Sequence, residues 1–115
     1  MSGEVEAVTG PGGGRGRTTI TARALHRLAT GVAGETARVP AREVSMDLSD
    51  AGGALRAAVV VPVALAEGDS IPLAERADGL RRAVIGRMDE LAGRRVVAVD
   101  VRFAGVHTIR EGRAR

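Results

Sequence analysis

The sequence predicts a small two-layer α+β sandwich, in which two helices cover a three-stranded mixed sheet in the order α-β-β-α-β. Residues 70–93 carry apolar side chains at three- and four-residue spacing, which is the period of an amphipathic helix. Residues 44–48 and 97–103 alternate between apolar and polar, which is the period of a strand with one buried face. Residues 55–65 are apolar at nearly every position, as is usual for a central strand.

Length and composition limit the classes of protein to consider. A chain of 115 residues is long enough for one domain with tails, and it contains one Phe, no Tyr, no Trp and no Cys. We therefore expect an aliphatic core without disulfides. No apolar run reaches the roughly 18–20 residues that span a bilayer, and the N-terminus lacks the apolar centre of a signal peptide, so we expect a cytoplasmic protein.

The basic character of the chain is modest. The net charge is +3, and all 17 basic residues are Arg, as in proteins from GC-rich coding sequences. The high isoelectric point of about 11.1 then reflects the pKa of arginine more than an excess of charge. We interpret these arginines as a solvated surface and not as a nucleic-acid interface.

The glycine pattern sets the predicted domain boundaries. Residues 1–16 form a flexible Gly-rich tail, residues 17–107 form a single folded domain, and residues 108–115 form a basic C-terminal tail. A short strand at 17–20, in front of the first helix, is an open alternative that would add a fourth strand.

The first helix opens at Thr21, with Ile20 packing on Leu25 as a hydrophobic staple. We expect it to fade by Gly34, before the break at Val39-Pro40. Its apolar face holds Leu25, Leu28, Ala29 and Val32.

A hairpin follows the first helix, because Gly52-Gly53 separates the alternating strand from the long apolar one. Pro62 conflicts with a central position, since proline donates no hydrogen bond to a neighbouring strand. We therefore place Pro62 where a neighbouring strand has ended or at a bulge. The inward face of the central strand is predicted to hold Leu55, Ala57, Val59, Val61, Val63 and Leu65.

The second helix has Ser70 as its predicted N-cap, Pro72 in its first turn and Gly93 in the left-handed conformation at its end. Its apolar stripe is Leu73, Ala77, Leu80, Val84, Met88 and Leu91. A right-handed crossover then brings in a last strand parallel to the central one. The buried face of that strand is predicted to hold Val97, Val99, Val101 and Phe103.

The chain offers little for catalysis or metal binding. His26 and His107 are the only histidines, and without cysteines they make a poor zinc set. Acidic pairs such as Asp47 with Asp50 flank turns, where carboxylates commonly support the turn itself. We therefore predict that the protein is not an enzyme and has no catalytic, cofactor-binding or metal-binding residues.

Small residues recur on the second helix. Gly79, Ala83 and Gly86 fall along its back, with Ile85 beside them. Glycine in a helix interior costs up to about 1 kcal/mol relative to alanine, so a packing role is one explanation. These four residues are our candidate surface for weak homo-oligomerisation. The alternative is that glycine accumulates on a surface under GC-rich codon usage.

Three segments resemble the alkaline-shock, envelope-stress-response protein family of Gram-positive bacteria. They are GRTTIT at 16–21 with the following helix, GDSIP at 68–72, and LAG at 91–93 followed by VVAVDV at 96–101. The chain departs from the family at residues 37–40, where the family usually has a Gly-Val element. It departs again at Glu67, where the family often has Tyr.

The resemblance implies a non-enzymatic protein of the cell-envelope stress response, without cofactors. Such a protein is cytoplasmic and reaches the membrane periphery through an anchoring protein partner, without inserting into the bilayer itself. An RNA-binding module is the alternative, because small α+β sandwiches of this strand order include RNA binders. That alternative needs a Gly-rich loop between two helices to hold phosphates, whereas Gly52-Gly53 lies between strands, so nucleic acid is the less favoured partner.

Overall fold

The fold was obtained as a computed structural model that describes residues 8–9 and 18–109. Its elements, in chain order, are β1 (Val8–Thr9), β2 (Thr18–Thr19), α1 (Ala22–Ala37), a 3₁₀ helix (Ala41–Glu43), β3 (Ser45–Ala51), β4 (Ala54–Leu65), α2 (Leu73–Ala92) and β5 (Val96–Thr108). The predicted α-β-β-α-β order is confirmed.

The main sheet has the order β3-β4-β5, with β3 antiparallel and β5 parallel to the central strand. Both helices pack on one face of it, and one core joins them to the sheet. That core includes Leu25, Ala29 and Val32 of α1, Leu80, Val84 and Met88 of α2, and Leu55, Ala57, Val59 and Val61 of β4. The two-layer α+β architecture is therefore as the sequence predicts.

The short strand predicted at 17–20 is present as β2, but it pairs with β1 in a separate antiparallel ladder and does not join the main sheet. β1 lies within the segment that we predicted to be a tail. The rest of that segment, and residues 110–115 of the predicted C-terminal tail, lie outside the described residues. At the predicted C-terminal boundary, residue 107, the strand continues: β5 runs to Thr108, and the Ile109 N–H donates to the carbonyl of Leu65 at 2.8 Å.

Helix α1 begins as predicted, because the Oγ1 atom of Thr21 accepts from the N–H of Ala24 at 3.0 Å. It ends later than predicted, continuing past Gly34 to Ala37, and Arg38 adopts the left-handed conformation that closes it. Gly34 is buried, and a Cβ atom there would lie 3.0 Å from the carbonyl oxygen of Val39. This glycine therefore allows the chain to fold back against the helix and does not end it.

Helix α2 does not begin with the predicted cap. Pro72 occupies the N-cap position, and its carbonyl accepts from the N–H groups of Glu75 and Arg76 at 3.1 and 3.0 Å. The prediction that Ser70 caps the helix is wrong, because Ser70 lies two residues before the N-cap position. Gly93 adopts the left-handed conformation at the C-terminal end, as predicted.

The buried stripe of α2 is shorter than predicted. Ala77, Leu80, Val84 and Met88 are buried, whereas Leu73 and Leu91 are each 49% exposed. The prediction was wrong at both ends, and in the last turn it is Ala92, not Leu91, that packs against the core.

Two bulges change which face of a strand is inward. Between the pairs Leu55↔Val96 and Arg56↔Ala98, β5 carries an extra residue, so Val97 points outward and is 47% exposed. Its predicted burial is wrong, while Val99 is buried and Val101 and Phe103 pack partly against the core.

The second bulge involves Pro62, as predicted. Pro62 faces two residues of β5, one of which is Gly105 with a φ of 86°, and the pairing of β3 with β4 has already ended at Val60. Beyond this bulge, Pro62 and Ala64 are buried, whereas Val63 is half-buried and Leu65 is exposed. The predicted inward positions of Val63 and Leu65 are therefore wrong.

Candidate binding groove

A groove of about 240 Å³ lies between the end of α1 and the first half of α2. Its floor is apolar and is formed by Pro62, Ala64, Leu80 and Phe103. Its rim is charged and carries Arg38, Glu75, Arg76 and Arg82. An apolar floor below a charged rim is the usual arrangement of a site that binds an amphipathic ligand or peptide.

Small side chains keep this groove open. The bulge at Pro62 turns Ala64 toward the helices, where a larger residue would fill the space. Gly79 forms part of the α2 wall, and a Cβ atom added there would meet only the Nη2 atom of Arg82, at 3.9 Å. A helix glycine, Gly79, and a strand alanine, Ala64, therefore both line the groove and leave it open.

Arg76 fixes one side of the rim. Its Nε atom donates to the carbonyl of Ile71 at 3.0 Å, and its Nη1 atom donates to the carbonyl of Ala64 at 2.8 Å. Its Nη2 atom lies 3.1 Å from Oδ2 of Asp69. One guanidinium thus joins the loop before α2, the helix itself and the end of β4, so the loop and the groove floor are held in a fixed relation.

Asp69 is the charge partner beneath the rim, with a side chain that is only 8% exposed. Hydrogen bonding from Arg76 lowers the pKa of this carboxyl group, and burial opposes the shift. The Nη1 atom of Arg38, at the end of α1, lies 3.9 Å from Oδ2 of Asp69. The carboxylate therefore lies between two arginines that come from different helices.

The exposed part of the rim is positive. It carries three arginines, Arg38, Arg76 and Arg82, against the carboxylates of Glu75 and Asp69, and Asp69 is shared between Arg38 and Arg76. Arg82 is exposed and makes no hydrogen bond or ion pair within the part of the chain that the structure describes. A carboxylate that entered the groove would therefore find a guanidinium with its donors available.

Sequence reasoning did not find this groove. Arg38 and Arg76 were not singled out as site residues, and Asp69 was noted only in the turn before the second helix, because the contacts that unite the three residues join separate elements. The one local pattern in the sequence was the pair Asp69 and Arg76 on either side of Pro72. A carboxylate before the start of a helix can pair with an arginine one turn inside that helix.

The four residues predicted for self-association do not all line one depression on α2. Gly79 lines the groove, while Ala83 and Gly86 line a shallow depression on α2 together with Arg82 and Glu90. Ile85 is 39% exposed and lines neither. At about 100° of rotation per residue, Ile85 lies on the flank that carries Arg81, turned away from the small residues. Self-association through this set stays a prediction.

The two histidines lie apart, each with its own partner. The Nε2 atom of His26 is 2.8 Å from the carbonyl oxygen of Met46, which ties α1 to β3. The Nδ1 atom of His107 is 3.1 Å from Oε1 of Glu43, which ties β5 to the 3₁₀ helix. Within the described part of the chain, no three His, Cys, Asp or Glu side chains converge as a metal site would require.

Comparisons of this chain with protein-family models, with curated proteins and with solved structures find no match. Among the helices of residues 18–109, none has both the length and the apolar character that a membrane crossing needs.

Proposed function

We propose that this protein is a non-enzymatic binding module of the alkaline-shock, envelope-stress-response family, brought to the membrane periphery by an anchoring protein partner. The observation that carries the proposal is the position of the 68–72 segment, one of the three that resemble the family. Asp69 and Ile71 of that segment contact Arg76, and Ile71 itself lines the groove. The family-like segment thus contributes Ile71 to the candidate binding groove and holds the rim residue Arg76 through Asp69.

The chemistry of the groove favours a partner segment that combines an apolar side chain with a carboxylate. The apolar side chain would enter over Pro62 and Phe103, where its burial is favourable by about 25 cal/mol per Å². The carboxylate would pair with Arg82, because charge-assisted hydrogen bonds from guanidinium are stronger than neutral ones. Recognition of this kind positions a protein and requires no reaction.

Two groove variants test the proposal against a matched control. In Arg82→Glu the rim charge is reversed, and in Gly79→Leu the cavity is filled while the helix gains a better helix former. In Arg56→Glu the same charge reversal is made on the open face of the sheet, far from the groove. We expect both groove variants to lose membrane-peripheral localisation of a fluorescent fusion during envelope stress, whereas Arg56→Glu keeps it.

The localisation experiment also needs the anchoring partner to be removed. We expect the wild-type signal to become diffuse in cells without that partner. A wild-type signal that stays diffuse under every envelope stress would contradict the membrane-peripheral role. Groove variants that localise like the wild type would contradict the groove as the contact.

A titration with single-stranded RNA at two salt concentrations separates this proposal from the RNA-binding alternative. We expect weak binding, because residues 18–109 contain a single aromatic side chain, Phe103, and it forms part of the groove floor. Tight binding with a steep dependence on salt would favour the RNA-binding module instead.

A further inference from the structure

Strand β5 has an unpaired edge. It is 13 residues long and lies at the end of the sheet order, with β4 on one side and no further strand among the described residues on the other. Between its two bulges, residues 98–103 pair regularly with residues 56–61 of β4. A long regular edge strand can pair with another chain, because its outward N–H and carbonyl groups have no strand partner.

The charges on this edge are arranged so that the strand can pair with a copy of itself. Asp100 and Arg102 lie two residues apart on the open face of the sheet, with side chains that are 64% and 73% exposed. Within one copy the Nε atom of Arg102 lies 3.7 Å from Oδ2 of Asp100, so a second copy would extend this exposed pair into a four-charge row. In an antiparallel pairing centred on Val101, each Asp100 lies opposite Arg102 of the second copy. A shift of the centre by one residue in either direction places Asp100 opposite Asp100, or Arg102 opposite Arg102, and like charges in that position are unfavourable.

We propose that a second copy of this chain occupies the β5 edge, antiparallel, with the two-fold axis at Val101. The result is a six-stranded sheet with one self-complementary interface. The same register places Val97 opposite Gly105 of the second copy, so that the two bulged positions face each other and the regular stretches pair. This inference does not depend on the proposed function, because the edge lies on β5 and the groove lies between the helices.

The helices fit this arrangement. A two-fold axis perpendicular to the sheet keeps both α2 helices on the same face of the joined sheet. Ile85 shares its flank of α2 with Arg81, and Arg81 reaches the backbone of β5. Ile85, which is 39% exposed, therefore lies beside the junction and gains burial from the second copy.

Arg81 limits the strength of the pairing. Its Nε atom donates to the carbonyl of Val99 at 3.2 Å, within the stretch that would pair, and its Nη1 atom is 2.9 Å from Asp78. A side chain that covers an edge in this way is a known protection against edge-to-edge association. We therefore expect a concentration-dependent dimer, and we expect Arg81→Ala to associate more tightly than the wild type.

Sedimentation of the full chain over a range of concentrations measures association. Variants that exchange the charges at positions 100 and 102 then test whether these two positions face each other in the dimer. Asp100→Arg and Arg102→Asp each place like charges opposite one another at both ends of the pairing. We expect each single variant to weaken association by about tenfold or more. The double variant Asp100→Arg/Arg102→Asp restores opposite charges, and we expect its association to lie within about threefold of the wild type.

Asp47→Arg is the matched control. Asp47 lies in the same row of the sheet as Asp100, across Ala58, but on the other edge strand, β3. We expect Asp47→Arg to associate like the wild type. The three positions changed on the sheet, Asp47, Asp100 and Arg102, are exposed. Their variants should therefore keep the wild-type circular dichroism spectrum and melting temperature, which checks that each one folds.

Three results would overturn the proposal. The first is a wild type and an Arg81→Ala variant that both stay monomeric at the highest concentration. The second is a double variant as weak as the single variants, which would show that Asp100 and Arg102 do not face each other. The third is a loss of association in Asp47→Arg equal to that in Asp100→Arg, which would assign the contact to another surface.

Discussion

The two helices of this domain begin in different ways. Helix α1 uses a cap from its own sequence, because the hydroxyl of Thr21 accepts from the N–H of Ala24 at 3.0 Å. Helix α2 has no side-chain cap, and its start is held by Arg76, whose guanidinium contacts Asp69 and the carbonyl of Ile71. One start is local, and the other depends on the folded chain around it.

The helices also differ in how their length matches the sheet. The core residues of α1 extend from Leu25 to Ala33, and they are covered at every turn. Helix α2 is four residues longer than α1, and Leu73 and Leu91 at its two ends remain half-exposed. Apolar spacing therefore identifies a helix that packs, but the partner surface decides how many of its turns are buried.

The largest expected loss of stability is in the middle of the α2 stripe, and a variant at the end of the stripe provides the comparison. Leu80→Ala removes a side chain that is 2% exposed and should lower the free energy of unfolding by about 2–5 kcal/mol. Leu73→Ala, at a position that is 49% exposed, should cost less than about 1 kcal/mol. Chemical denaturation of the two variants measures the difference, and equal losses would mean that the stripe is buried along its whole length.

Much of the fold could be predicted from the sequence because its signals are periodic and local. The spacing of Leu80, Val84 and Met88, the Gly52-Gly53 loop and the proline at a bulge each agree with the structure. The bulge at Val97 could not be predicted, because one extra residue in a strand leaves an apolar pattern that still alternates.

The candidate groove could not be predicted in the same way. Its floor depends on the bulge that turns Ala64 inward, and its rim depends on Arg38 and Arg76 meeting at Asp69 from separate helices. These are long-range contacts without a fixed spacing in the chain. The small residue Gly79 was noticed, but its role as a groove wall requires knowledge of what lies opposite it.

The next effect concerns the local start of α1. Thr21→Ala removes the oxygen that accepts from Ala24 and should lower the free energy of unfolding by about 1 kcal/mol. Thr21→Ser keeps a hydroxyl and serves as the control, with an expected loss of less than about 0.5 kcal/mol. Thermal unfolding measures both, and an unchanged stability in Thr21→Ala would mean that the start of α1 is also held by tertiary contacts.

The start of α2 should differ from that of α1 in its dependence on pH. Arg76 lowers the pKa of Asp69 in the folded protein, so this carboxylate stabilises the fold at pH values above its unfolded pKa of about 3.9. That contribution is lost as the pH falls through the lower pKa of the folded state. We expect Asp69→Asn to reduce the loss of stability between about pH 5 and pH 2, as followed by thermal unfolding. Identical pH profiles for the wild type and Asp69→Asn would contradict the coupling.

The smallest expected change in stability is at Ser70, where the sequence pattern predicts a helix cap and the structure shows none. Ser70 has the residue type and the place of a cap, and if it capped α2, then Ser70→Ala would cost about 1 kcal/mol. In the structure Ser70 is exposed and forms no hydrogen bond with any described residue, while the carbonyl of Pro72 accepts from the N–H groups of Glu75 and Arg76. We therefore expect Ser70→Ala to change the free energy of unfolding by less than about 0.5 kcal/mol. Chemical denaturation beside Thr21→Ala provides the test, because the two variants remove the same hydroxyl group at the two helix starts. Equal losses would mean that α2 begins with a cap of its own, and that Arg76 and Asp69 only reinforce it.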